Sequence, residues 1–383
     1  MKTNDIPTSP CGNVPASAAG NGRLLSLDTL RGMDMLFIMG AEMIFVCLGR
    51  LLPGTPLESF AGEMRHVSWD GAALYDLIFP LFLFIAGVSF PFSMAKSMSC
   101  GAGRRDITLK VVRRGLLLVL LGAVYNGLLS LDLANVRYLS VLGRIGTAWM
   151  LGALLYMWTS RRCCVAVSAV LLLGYGALLL LVAAPDCPGA SSLSMEGNIV
   201  GYVDRMLMPG KLHQGVFDPE GLLSTIPAVV TALLGIFTGD FVRMSRMDGH
   251  HKSSTLMVCG MALLAIGGSS SGLLPVNKAL WSSTFVCVAG GVSMMLFAVF
   301  YWVVDVLQWR RWTLFFRVVG MNSITIYMAQ EFVDFHKLTS KVFGGAVGLL
   351  PENLQALGYW TAYVGVGWMF LYFLYKKRIF LKV

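Results

Sequence analysis

Charge is what this sequence has least of. Asp, Glu, Lys and Arg make up 13% of its 383 residues, about half the share of a typical soluble domain, while hydrophobic residues make up 56%. With a mean hydropathy of +0.68, too few polar side chains remain to cover a water-soluble fold. Disorder, collagen, a coiled coil and a small disulfide scaffold are excluded by the same figures. Also missing are an H-E-x-x-H or Cys/His pair at metal spacing, a Walker-type phosphate loop and a G-x-S-x-G elbow, so no metal site or serine-hydrolase site is expected. No internal repeat is visible, which removes the inverted-repeat pointer to a transporter site. Of the eight cysteines, Cys187 alone falls clearly in an outer loop, and no intrachain disulfide is expected there.

What is present is a series of long apolar stretches. Ten are long enough to cross a bilayer as helices, at 30–50, 72–97, 111–131, 138–159, 163–184, 221–243, 254–274, 279–304, 314–335 and 355–376. The expected fold is therefore an all-α polytopic membrane bundle over residues 23–383. Residues 1–22, rich in Ser, Pro, Gly and Asn, read as a flexible tail, and Asp5 with no apolar stretch behind it argues against a signal peptide.

The net charge of +9 does not read as a nucleic-acid signal, because the basic residues form short clusters between spans and no contiguous basic face. With ten spans, 21 of the 30 Lys and Arg fall in the tail, the even-numbered loops and the C-terminus. Eight lie on the opposite side, and Arg144 lies inside the fourth span. The positive-inside rule then puts both termini in the cytoplasm.

Ionisable residues inside spans carry the functional signal, since burying one costs at least ~2.5 kcal/mol on insertion scales. They are Asp34, Glu42, Asp76, Arg144 and Glu331. Asp34 and Glu42 are eight residues apart, so they share a helix face about 12 Å apart along the axis. For Asp34 and Asp76 a buried structural contact is as good a reading as function. For Glu42, deep in its span and followed by an outer loop with a histidine, function is favoured. His66 stands in that loop, in Arg65-His66-Val67-Ser68-Trp69-Asp70-Gly71, just before the span that opens with Asp76. The adjacent His250 and His251 read as a solvated loop pair.

Several segments resemble heparan-α-glucosaminide N-acetyltransferase and its bacterial relatives. They are Arg23-Leu-Leu-Ser-Leu-Asp-Thr-Leu-Arg-Gly32, His66–Gly71, Asp76–Gly87, Val141–Gly146, Phe217–Thr225, Val276–Trp281 and Gly320-Met-Asn-Ser-Ile-Thr-Ile-Tyr327. Seven in order cover nearly the whole chain, and no N-x-Ser/Thr sequon occurs, which points to a bacterial inner-membrane protein. The resemblance implies transfer of an acetyl group from cytoplasmic acetyl-CoA to an amino sugar on the outer side. Its motif histidine aligns with His66; where the lysosomal member has a catalytic asparagine, this chain has Glu42. The partners implied are acetyl-CoA, an amino-sugar acceptor and the lipid bilayer, and a homodimer is compatible with them.

Chemistry agrees with that assignment. An amine attacks a thioester only when deprotonated, and imidazole is the side chain whose ordinary pKa suits that step at neutral pH. His66 is expected as base or acyl carrier, Glu42 as its partner, and Asn322 with Ser323 as donors to the developing oxyanion. Arg23, Asp28, Arg31, Arg113 and Arg114 are candidates for the cytoplasmic mouth, where guanidinium suits the phosphates of CoA. Asp76, Arg144 and Asp34 would complete a buried polar network. Two alternatives stay open: an amino-sugar permease using the buried carboxylates for proton coupling, and an O-acyltransferase acting on a surface polysaccharide.

Overall fold

The computed structural model describes residues 24–381. Those residues are all-helical and contain no β-strand, only isolated bridges such as Gly71 with Asn277. The helices are α1 (Leu25–Leu36), α2 (Glu42–Leu51), α3 (Pro56–Glu63), α4 (Ile78–Ser99), α5 (Arg104–Tyr125), α6 (Val141–Trp158), α7 (Arg161–Leu181) and α8 (Ile199–Leu207). There follow α9 (Thr225–Met244), α10 (Gly249–Ser269), α11 (Ser283–Phe300), α12 (Thr313–Gly320), α13 (Ser323–Phe332), α14 (Phe335–Gly348) and α15 (Glu352–Lys376). Among the described residues seven helical stretches are long and apolar enough to cross a membrane: Leu25–Leu51, Leu74–Ser99, Val141–Trp158, Arg161–Leu181, Thr225–Met244, Gly249–Gly272 and Ser283–Val306.

The other three expected spans differ from that set for visible reasons. The stretch expected at 111–131 is helix α5, which starts at Arg104 and carries six charged residues in its first eleven. The one expected at 355–376 is α15, a single helix of 25 residues rich in Tyr, Trp and Gly. The one expected at 314–335 is not continuous: it breaks at Met321–Asn322 into α12 and α13. The connections between the long helices hold short helices that periodicity did not mark, α3, α8 and α14.

Helix ends follow local chemistry. Ser140, Ser160, Asn198, Asp248, Ser282 and Asp334 each accept a backbone N–H of the first turn of the helix they precede. Helix α1 lacks such a cap of its own. Instead Asp305, in a π-helical turn after α11, accepts from the N–H groups of Leu25 and Ser26, each at 3.2 Å, and from Ser26 Oγ at 2.5 Å. A carboxylate there offsets both the unsatisfied donors and the dipole.

Helices α4 and α9 form the centre, with α6 and α11 against α9 and α5 outside α6. Leu83, Phe84, Ile85, Val88, Ala232, Leu233 and Ile236 are fully excluded from solvent in that core. By contrast α7 and α10 turn Leu173, Leu181 and Val258 outward. An apolar outer surface of this kind is stable where the surroundings are hydrocarbon.

Three glycines decide where functional side chains go. Gly40 lies in a π-helical segment (Phe37–Ala41) with φ +111°, a backbone open to glycine at no steric cost, and the Tyr363 ring stands 3.3 Å from where a Cβ would be. The helix is re-aimed there, and Glu42 becomes the first residue of α2. Gly32 and Gly320 let α1 and α12 touch backbone to backbone: a Cβ on Gly320 would fall 2.2 Å from the carbonyl oxygen of Asp28. That approach sets the α12–α13 break beside Arg31.

Candidate active site

At one end of the bundle the loop after α3 folds back on the start of α4. Asp76 sits in the first turn before α4, 1% exposed, and its Oδ2 accepts the N–H of Ala73 (3.1 Å) and Val67 (3.3 Å). The N–H of Gly71 donates to Val276 O at 2.8 Å, and Asn277 Nδ2 donates to Asp70 Oδ1 at 3.2 Å. These bonds zip the loop to the segment before α11 and deliver Lys278. His66 Nδ1 lies 2.5 Å from Asp76 Oδ1, and Lys278 Nζ lies 3.1 Å from the same oxygen and 3.2 Å from that ring nitrogen. Among the described residues nothing hydrogen-bonds Nε2. The His66 side chain is 56% exposed, so this nitrogen is open to a substrate.

The carboxylate that the structure sets against His66 is thus Asp76's and not Glu42's. Tyr75 packs its ring on His66 with centroids 4.7 Å apart, and its phenol lies within electrostatic range of Glu42. The break at Gly40 and the fold-back of the loop are tertiary features, invisible to a spacing argument along one helix. Glu42 Oε2 is buried without a hydrogen-bond partner, as are both carboxyl oxygens of Asp34.

Inside the bundle is a cavity of about 200 Å³. Arg31 and Arg114 line it with Phe82, Leu118, Trp149 and the break residues Gly320–Ile324. Arg31 Nη2 donates to Ser89 Oγ at 2.9 Å, and Nη1 is 3.7 Å from Asp28. The guanidinium of Arg114 lies over the Trp149 ring at 4.6 Å, with its Nε unpartnered. Asn322 is 2% exposed; its Oδ1 accepts from Thr325 Oγ1 at 3.4 Å, and its Nδ2 has no partner. Ser323 Oγ donates to Gly320 O at 3.0 Å. Helix α13 starts at this wall with no side-chain cap. Two guanidinium groups, a free amide donor and a helix N-terminus together favour an anion or a developing oxyanion.

Four sequence-predicted residues, Arg31, Arg114, Asn322 and Ser323, therefore share one wall-to-wall space, and Asp28 supports Arg31 from behind. Arg113 is exposed and not part of that lining. Arg23 lies outside the described residues. Among the described residues no hydrogen-bond network joins Asp76, Arg144 and Asp34, whose carboxyl oxygens have no partner. Arg144 instead donates to Ser224 Oγ and to Gly221 O (3.2 Å), and stacks over Trp281 at 4.9 Å, tying α6 to the loop before α9. Nearby, Arg137 grips Asp218 with two 2.7 Å bonds and also bonds Glu220. Asp204 on α8 accepts from Leu222 N at 2.8 Å, and burial, with Asp218 close by, pushes its pKa up to about 6. Lys278 and Tyr75 were not singled out from the sequence. A lone outer cation within the Val276–Trp281 motif was the available signal for Lys278. Among the described residues no three His, Cys, Asp or Glu stand together as metal ligands would.

Fold and site define a multi-pass, all-helical membrane protein with a histidine–carboxylate pair at one end and a cationic cavity within. No family model matches the chain. It is 29% identical to human heparan-alpha-glucosaminide N-acetyltransferase, an alignment covering 94% of this chain and 60% of that protein. Against the mouse protein of the same name the identity is 28% with the same coverage. The chain is similar to these N-acetyltransferases over nearly its whole length, and it spans about 60% of theirs.

Proposed function

We propose that the protein is a transmembrane N-acetyltransferase that moves the acetyl group of acetyl-CoA to the amino group of a glucosamine-type sugar. The observation that carries the reading is the His66–Asp76 pair, with Nδ1 on the carboxylate and Nε2 open at the end of the bundle. In this reading Nδ1–H donates to Asp76 and Nε2 takes the proton of the attacking amine. The nitrogen–carbon bond forms, the carbon–sulfur bond breaks, and the departing thiolate takes up the proton. The cavity of Arg31, Arg114, Asn322 and Ser323 receives the donor, with the arginines on its anionic part and Asn322 Nδ2 toward the carbonyl oxygen. The two relatives are named for this type of transfer, which supports the assignment.

With α5, the broken α12–α13 pair and α15 counted as crossings, the chain has ten spans and both termini in the cytoplasm of a bacterial inner membrane. His66 then faces the outer side, where the acceptor waits, and Arg31 and Arg114 face the side that holds acetyl-CoA. The test is reconstitution in liposomes with acetyl-CoA on one side and glucosamine on the other. Acetylated sugar with CoA release supports transfer.

The unpartnered buried oxygens, both of Asp34 and Oε2 of Glu42, favour a second reading, a proton-coupled amino-sugar permease. Unmodified sugar crossing the bilayer in the same liposomes would establish it and overturn the first.

A further inference from the structure

We infer that Lys278 is a positioning residue that balances the Asp76 carboxylate beside the His66 ring and leaves the lone pair on Nε2. The inference rests on the proposed role of His66. Its basis is the three-way contact at Asp76 Oδ1, where His66 Nδ1 approaches to 2.5 Å and Lys278 Nζ to 3.1 Å, the two nitrogens being 3.2 Å apart. An ammonium only donates, so it bonds the carboxylate and cannot accept a ring proton. The acceptor left for Nδ1–H is the same oxygen, which fixes the tautomer with the lone pair on Nε2.

The carboxylate alone would favour a doubly protonated imidazolium, useless as a base. Lys278 supplies an opposite charge at the same range, so the pair orients the ring without holding a second proton on it. The charged groups around the ring are few. Asp76 and Lys278 touch it; Tyr75 packs on its face, with Glu42 behind. Arg65 precedes it in the chain, Glu63 at the end of α3 is occupied by Leu74 N at 3.2 Å, and Asp70 is held by Asn277. Lys278 is the one cation among them in contact with the ring, and it reaches the site from a segment more than two hundred residues away in sequence.

The experiment measures acetyl transfer from acetyl-CoA to glucosamine between pH 5 and 9 for the full chain and its Lys278→Met, Lys278→Arg and His66→Ala variants. In parallel, mass spectrometry follows carbethoxylation of His66, a reaction of neutral imidazole that needs no turnover. Lys278→Met should move the acid limb of both profiles to higher pH by about one unit, the scale of one charge at 3–4 Å with water-like screening at this half-exposed ring. Lys278→Arg should restore the limb, and the KM for acetyl-CoA should stay within about twofold in both variants, since the donor cavity is untouched. Where Lys278→Met yields no folded protein, Lys278→Gln makes the same charge change. Unmoved limbs in a folded Lys278→Met or Lys278→Gln variant overturn the inference. Turnover in a folded His66→Ala variant would instead overturn the proposed role of His66, a separate failure.

Discussion

Asp76→Asn is the substitution that asks most of the site. The native carboxylate accepts four contacts, from Val67 N, Ala73 N, His66 Nδ1 and Lys278 Nζ, at 2.5–3.3 Å. An amide of the same shape keeps one oxygen as acceptor and turns the other position into a donor. If the oxygen stays on the two backbone N–H groups, the new N–H₂ faces His66 Nδ1. The ring then carries its proton on Nε2, the wrong nitrogen for a base. Lys278, 21% exposed in its side chain, loses its counter-charge but can turn to water. Activity should fall by about 10²- to 10⁴-fold, the range for losing general-base support together with the correct tautomer. Folding should suffer by roughly 1–3 kcal/mol, for a buried site with one mismatched hydrogen bond. The assay is CoA release followed with a thiol reagent in detergent, beside acetyl-CoA binding by calorimetry and a melting curve. Binding within about twofold of wild type, with turnover lost, is the expected pattern. A folded Asp76→Asn protein whose rate stays within about threefold of wild type would refute the reasoning.

Further outcomes follow from the same geometry. Arg31→Gln and Arg114→Gln should each weaken CoA binding by roughly 10- to 100-fold by calorimetry, the worth of a charge-assisted hydrogen bond, while exposed Arg113→Gln should change it little. Gly320→Ala should lower stability by about 1–3 kcal/mol, because its Cβ meets the Asp28 carbonyl and α12 must move; a melting curve reads the loss, and the donor should bind more weakly as Asn322 shifts. For Asp204, whose pKa burial lifts from 3.8 to about 6, the folded state favours the protonated form. Its stabilising effect is complete below pH 4 and is lost as pH rises through 6, a difference of roughly 3 kcal/mol at most. Melting temperature should therefore fall between pH 4 and 7 in the wild type, and more weakly in Asp204→Asn. Glu42→Gln should slow transfer less than Asp76→Asn does, since the carboxylate that contacts the ring is Asp76's; an equal loss in the rate assay would contradict that order.

Membrane class and helical architecture were legible in the sequence because they follow from composition and segment length, quantities each stretch carries by itself. His66, Arg31, Arg114 and Asn322 could also be picked out as candidates, since a polar group near apolar spans stands out wherever it later packs. Which of them meet was not. A regular helix would put Asp34 and Glu42 on one face, and the π-helical turn at Gly40 interrupts that regularity. Asp76 and His66 are ten residues apart across a fold-back, and Lys278 arrives from beyond α10; bonds such as Gly71 to Val276 made those encounters. Arg114 and Asn322 share a cavity because Gly32 and Gly320 let two backbones touch. Residue types and their spacing set which chemistry was at hand, and close packing between distant segments decided which groups could act on one another, since hydrogen bonds and charges work over a few ångströms of space whatever their separation along the chain.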